Sequence, residues 1–324
     1  MKRAVHIAVG VLILAALYAQ VDPAAVAGSL VRSSPLWLAA GLALSVPITV
    51  AMALRFTLLF PAGRGIGAGR GIGLGEAVRL VLIAGTLNLV LPSNMGQIAK
   101  AYPLSRRSGF PLAQAVATVV AEKGWDTVAL LLWCLLGLIA AGSAVPFRVP
   151  ALAAVAGLLA AGLVALTWAG ATRAALLAAA RRLPDKVATR ITALADAWGG
   201  VIGRFWHHGR RAAAVIGLSL LIWFLSLGQV WLFTVALGAG VPFVACLSLA
   251  PLAILVGLLP VTIGGVGTRD AALVLLFQPF MDGGTAAALG VLCTLRYLLP
   301  AIAGLPLVRQ FHGPAGTGAA VPDR

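Results

Sequence analysis

The sequence predicts an all-α polytopic membrane helix bundle: about six full spans plus two re-entrant broken hairpins in an inverted repeat, eight hydrophobic segments in all. Three observations predict it. Of 324 residues, 61% are hydrophobic and 10% charged, with a mean hydropathy of +1.02, whereas soluble domains carry about 25% charged residues. The apolar residues gather into runs that reach the roughly 20 residues a helix needs to cross about 30 Å of hydrocarbon. Two further runs are interrupted by Pro and clustered Gly, which break helices. The same composition excludes other classes. Three cysteines (Cys134, Cys246, Cys293), all inside apolar runs, do not make a disulfide scaffold. Histidines at 6, 207, 208 and 312 offer no metal-ligand cluster. The net charge of +15 fits cytoplasmic loops rich in Lys and Arg rather than nucleic-acid binding.

Each element follows from the runs and the basic residues between them. Segment 4–21 follows Lys2 and Arg3 and is read as an uncleaved signal anchor rather than a cleaved signal peptide, with the N-terminus cytoplasmic. Span 36–58 returns the chain to that side, where Arg55, Arg64, Arg70 and Arg79 fit the bias. The Gly-rich stretch 63–73 carries no G-x-G-x-x-G or Walker pattern and is read as a flexible cytoplasmic loop. Segment 76–105 breaks at Leu91-Pro92-Ser93-Asn94-Met95-Gly96 and resumes as Gln97-Ile98-Ala99-Lys100. A full crossing there would put Lys100, Arg106 and Arg107 outside, so the segment is expected to dip in and return. Span 111–141 then leads out and 149–170 leads back.

Residues 171–211 hold eight Lys/Arg against Asp185 and Asp196 and should be cytoplasmic. Trp198, Phe205 and Trp206 in an Ala/Leu-rich pattern suggest helices lying on an anionic leaflet, with a solvated basic connector as the competing reading. His207 and His208 read as an interface anchor. Span 211–237 exits, and segment 243–280 breaks at Leu259-Pro260 and Gly264-Gly265-Val266-Gly267. It enters from the outer side, either as a hairpin or as two full crossings. Span 284–308 returns the C-terminus to the cytoplasm, as expected for an inner-membrane protein.

The whole chain, 1–324, reads as one integral membrane domain. Its halves, approximately 1–141 and 149–308, each run span, span, broken hairpin, span; the basic amphipathic segment 171–211 lies inside the second half. Paired Gly/Pro-interrupted segments in corresponding positions point to a transport site near the midplane. Chance occurrence of two Leu-Pro dipeptides in an Ala/Gly/Leu-rich chain is the alternative.

The rare intramembrane charges are the candidate site. Each costs on the order of 2.5–3.5 kcal/mol at a helix centre on insertion scales, so Glu122, Lys123, Asp126, Arg269, Asp270 and Arg296 should face one another or water. Glu122 and Asp126 share a helix face at i, i+4, which implies a cation between them or one protonated carboxyl. Arg269 and Arg296 are the expected partners. An ion-pair network that only orients the halves is the competing reading. Gly264, Gly265 and Gly267 would let an anion approach a half-helix N-terminus, with Arg269 one turn on. Gly96 with Lys100 makes a weaker copy, and Ser93, Asn94 and Gln97 add neutral hydrogen bonds. No nucleophile–base set is visible, and neither enzymatic activity nor a cofactor is expected.

The run Leu91–Leu104, then Arg106-Arg107-Ser108-Gly109 and Ala115–Asp126, resembles the lysylphosphatidylglycerol synthase transmembrane (flippase-like) family, as does Pro260–Asp270 with a later Arg296. The resemblance covers roughly 30–308. The family pattern has an acid after the first Gly, an Arg three residues on, Glu-Arg in the following span, and Arg-Glu in the second block. Here those positions hold Gln97, Lys100, Glu122-Lys123 and Arg269-Asp270. The resemblance implies a module that moves lipids between leaflets, such as aminoacylated phosphatidylglycerol or polyprenyl-linked precursors. In the synthases a soluble aminoacyl-transfer domain follows; this chain stops at Arg324, so no synthase activity is expected.

The expected function is therefore lipid translocation, with membrane lipids as partners, anionic phospholipid or polyprenyl-linked. The alternatives are an ion-coupled transporter of a small anion and a non-transporting membrane partner of a lipid-modifying enzyme. No nucleic-acid partner is expected.

Overall fold

The computed structural model describes residues 22–60, 72–89, 95–108, 111–141, 147–258 and 267–311. The predicted anchor 4–21, most of the Gly-rich loop and the two Leu-Pro breaks lie outside them. Helix α1 (Pro23–Val31) opens on Asp22, whose carboxylate accepts from the Ala24 N–H at 2.9 Å, with Pro23 in the first turn. Helices α2 (Pro35–Ala43) and α3 (Ser45–Leu59) form one continuous apolar stretch. Then follow α4 (Leu74–Asn88), the short α5 (Met95–Ala99), α6 (Ala101–Ser108), α7 (Leu112–Ala140) and α8 (Arg148–Thr167). The second half continues with α9 (Ala169–Ala180), α10 (Asp185–His207), α11 (Gly209–Ala236), α12 (Phe243–Leu258), α13 (Thr268–Phe277) and α14 (Gly283–Phe311).

Five stretches are long and apolar enough to cross a membrane: Pro35–Leu59, Leu112–Ala140, Arg148–Thr167, Gly209–Ala236 and Gly283–Val308. They coincide with five of the expected spans, and the protein is a multi-pass, all-helical membrane bundle. Of the two Gly/Pro-interrupted segments, the described residues form separate helices on either side of the interruption: α4 and α5 in one, α12 and α13 in the other. Helix α13, with 10 residues, is about 15 Å long, half of what a crossing needs. It starts at Gly267, whose φ of +95° is a conformation that side-chain-bearing residues avoid. Helices α12 and α13 pack on each other, and Gly257 near the end of α12 abuts Arg269 at the start of α13.

The core sits where the two halves interleave. Helix α4 packs along α14, and α12 packs along α7, while α3 packs on α11. Both lateral contacts depend on a glycine in the span. A Cβ on Gly304 of α14 would overlap Thr86 Oγ1 and Leu82 O of α4; a Cβ on Gly137 of α7 would lie 2.5 Å from the Leu247 carbonyl carbon of α12. Such close backbone approach is how membrane helices gain packing where lipid supplies no hydrophobic drive. Thr86 uses it to donate to the Ala301 carbonyl at 2.7 Å.

The aromatic residues of α10 have helix partners. The helix packs along α7 and against α9: Trp198, Val201 and Ile202 bury against Ala117, Ala121, Trp125 and Val128. Trp125 stacks on Phe205 at 5.3 Å, and Trp206 donates to the Leu166 carbonyl at 2.9 Å. Its aromatic stripe is therefore a helix–helix contact, while Arg181, Arg182, Lys186 and Arg190 stay exposed at the far end.

Candidate functional site

The buried charges fall into two groups rather than one. The first is built around Arg55, fully enclosed on α3. Its Nη2 donates to Glu122 Oε1 at 3.0 Å, and its Nη1 donates to Asp126 Oδ1 and to Ser219 Oγ, the latter at 3.0 Å. Lys100, between α5 and α6, brings Nζ within 2.6 Å of Glu122 Oε2 and 4.4 Å of the Phe56 ring centroid. Lys123 Nζ donates to Asp126 Oδ2 at 2.6 Å from a side chain that is 35% exposed. The predicted cation between the i, i+4 carboxylates thus exists, and it is a guanidinium from another helix. A planar fork fits two carboxylates in a way an ammonium cannot.

This corrects the expected pairing, because neither Arg269 nor Arg296 touches Glu122 or Asp126. They form the second group. Arg269 binds its neighbour Asp270, Nη2 to Oδ1 at 2.7 Å, and donates to Thr294 Oγ1 at 2.7 Å and to the Gly290 carbonyl at 3.3 Å. Asp270 in turn accepts from the Gly267 N–H at 3.0 Å, so the half-helix N-terminus is already occupied by its own carboxylate. Arg296 on α14 donates to the Ser226 carbonyl at 3.0 Å, to Tyr297 Oη at 2.5 Å and to Gln229 Oε1 at 3.5 Å. The Tyr297 ring lies 4.6 Å from the Arg296 Cζ and 5.8 Å from the Arg269 Cζ.

Helix α11 joins the groups. Ser219 meets Arg55, while Ser226 and Gln229 meet Arg296, and spacings of seven and three residues place all three on one helix face. Ser219 and Gln229 are about 15 Å apart along the axis, a separation that forbids the direct pairing expected from sequence. Gln229 also donates to the Gly41 carbonyl at 2.8 Å and to Ser45 Oγ at 3.0 Å, tying α11 to α2 and α3.

The remaining predicted residues divide. Gly96 and Gln97 are buried on α5, with Gly96 pressed against Ala84 and Asn88 of α4; neither joins the ionic groups. Ser93, Asn94, Gly264 and Gly265 lie outside the described residues. Arg55, Ser219, Ser226 and Gln229 escaped notice. From sequence Arg55 reads with the basic loop residues because it lies near the end of a span, yet helix continues to Leu59 beyond it. The polar spacing on α11 was the available signal for the other three. Among the described residues, no group of His, Cys, Asp and Glu could hold a metal ion.

The register of α7 against α8 sets the height of the first group. Gly162 faces Val128 and Gly124 faces Leu166, so these antiparallel helices align Glu122–Asp126 with the last turn of α8. The ten residues of α7 preceding Glu122 (112–121) extend about 15 Å past that end.

These features accompany a clear relationship. The family model described as "Lysylphosphatidylglycerol synthase TM region" matches residues 3–304. Among curated proteins, a "UPF0104 membrane protein" of Methanothermobacter thermautotrophicus is 22% identical over 293 residues, covering 86% of this chain and 85% of that one. The chain belongs to the lysylphosphatidylglycerol synthase TM region family.

Proposed function

We propose that the protein translocates lipids between the leaflets of a cell inner membrane, with an anionic headgroup passing the buried charges while acyl chains stay in the bilayer. The observation that carries this reading is the presence of two ionic groups, buried among apolar helices and joined along one polar face of α11. Charges placed at membrane depth mark pathways because their burial is otherwise costly. The cargo in this reading is an anionic phospholipid or a polyprenyl-linked lipid. The protein acts as a carrier rather than an enzyme, downhill or coupled to an ion gradient.

The architecture behind the reading is an inverted repeat with two re-entrant hairpins. The reciprocal packing supports it: the first arm of one broken segment (α4) lies on the last span (α14), and that of the other (α12) lies on α7. Both termini are cytoplasmic in this reading, the side that the basic-residue bias favours. Helix α8 is largely exposed, uncharged beyond Arg148 and about 30 Å long, and in this reading its ends are taken as the hydrocarbon edges. In this reading the Arg55 network lies toward the cytoplasmic edge, with Arg55, Lys100 and Glu122 enclosed and Lys123 partly exposed. The Arg269–Arg296 group lies nearer the middle. In this reading the first acts as a gate and the second as the headgroup station.

The test is leaflet exchange of labelled phosphatidylglycerol in liposomes containing the full chain, with uptake of a soluble anion measured alongside. Lipid exchange without anion uptake supports the reading. Anion uptake alone replaces it with ion-coupled small-anion transport. Absence of both leaves a membrane partner of a lipid-modifying enzyme.

A further inference from the structure

Every buried charge in the described residues has an oppositely charged partner except one. Arg55 and Lys100 face Glu122 and Asp126, and Arg269 faces Asp270. Arg296 is 5% exposed and has only neutral contacts: a carbonyl, an amide oxygen and a phenol. Its Nε–H, also buried, has no acceptor. A buried charge without a counter-ion is costly, and proteins avoid leaving one so. A donor with no acceptor on the same side chain adds a second, directional deficit. Tyr297, 43% exposed, reaches over both guanidiniums and is the most accessible part of the group.

We propose that Arg296 is the residue that binds a singly charged phosphate ester, its charge balanced by the ligand rather than by the protein, with Tyr297 as the movable cover. This deepens the translocation reading by naming the residue and the headgroup chemistry, and it rests on that reading for its biological role. The anion accepts from Nε and Nη2 of Arg296 once the phenol of Tyr297 swings aside. A phosphodiester carries one negative charge, which matches the single uncompensated cation. Arg269, already neutralised by Asp270, contributes shape and a weaker field.

The test uses the purified full chain in detergent at fixed ionic strength, following thermal unfolding by tryptophan fluorescence. The probes are dihexanoyl phosphatidylglycerol, sodium phosphate and dihexanoyl phosphatidylcholine. Dihexanoyl phosphatidylglycerol is expected to raise Tm saturably, and Arg296→Gln to weaken its apparent affinity at least about tenfold, the loss of one charge-assisted contact. Response to phosphate alone, lost in the same variant, supports the site and assigns it to a soluble anion. A second variant tests the charge from the other side: Gln229→Glu places a carboxylate beside the guanidinium, gives up the amide donors to the Gly41 carbonyl and Ser45 Oγ, and is expected to abolish the probe response in a chain that still melts cooperatively. An unchanged response in either variant, or no response of the native chain to either anion, overturns the assignment. An equal response to phosphatidylcholine would do so as well. Binding is read without transport, so absence of lipid exchange in liposomes sinks the translocation reading and leaves this site standing.

Discussion

Arg55 decides whether the first charge network holds together. Two carboxylates one turn apart repel each other, and a buried carboxylate left without its partner costs about 3–5 kcal/mol. The guanidinium fork satisfies both and Ser219 besides. A point charge on a flexible stem cannot bridge three acceptors, so Arg55→Lys is expected to lower Tm in detergent by several degrees despite conserving charge. Lys123 also pairs with Asp126, but from a partly solvated side chain, where an ion pair contributes about 0–1 kcal/mol. Lys123→Met should therefore shift Tm little. If the two variants destabilise equally, the network is not organised around Arg55.

At the scale of elements, close helix contact and capping carry the packing. Adding a methyl group at Gly304 or Gly137 drives it into the backbone of α4 or α12, so Gly304→Ala and Gly137→Ala should each cost about 1–3 kcal/mol. Gly157 of α8 has open space around it, and Gly157→Ala should be neutral or slightly stabilising. Comparison of the three melting curves checks this.

The start of α14 offers a pH test outside the spans. Asp282 accepts from the Thr285 hydroxyl at 2.7 Å and the Thr285 N–H at 3.0 Å, and these bonds hold its carboxyl below the ordinary aspartate range. A depressed folded value means the stabilisation is present above the unfolded value and fades as pH falls through the folded one. Asp282→Ala should lower stability by about 1 kcal/mol near neutral pH. The gap from the native chain should close in melts run below pH 4. A gap that persists into acid shows that the cap works without its charge.

The long spans were legible because 20-residue apolar runs admit few other structures in a chain this poor in charge. Glu122, Asp126, Arg269 and Arg296 were legible because each is expensive where it stands. Their partners were not: pairing depends on which helix faces which, and Arg55, Ser219 and Gln229 come from helices distant in sequence. Tryptophans on α10 looked like a membrane-surface stripe because an amphipathic face reads alike whether it meets lipid headgroups or a neighbouring helix.

For the whole molecule, the arrangement of contacts between halves bears on whether anything moves. Helix α4 holds α14 and α12 holds α7, so each half grips the other through its broken segment. In a carrier built from inverted repeats, alternating access requires these grips to slide or rock around a fixed site. In a static scaffold or a passive partner, the same contacts would simply be permanent. A reversible tether at one grip separates the cases. Thr86 Oγ1 touches the Ala301 carbonyl, so cysteines at these positions, Thr86→Cys with Ala301→Cys, fall across the α4–α14 contact. The native Cys134, Cys246 and Cys293 are replaced first, since all three are buried and unpaired. Oxidation should stop lipid exchange in liposomes and reduction should restore it, with the folded fraction unchanged throughout. Exchange that continues at full rate through the oxidised tether would mean that α4 and α14 never part, and that any headgroup path runs through a rigid bundle.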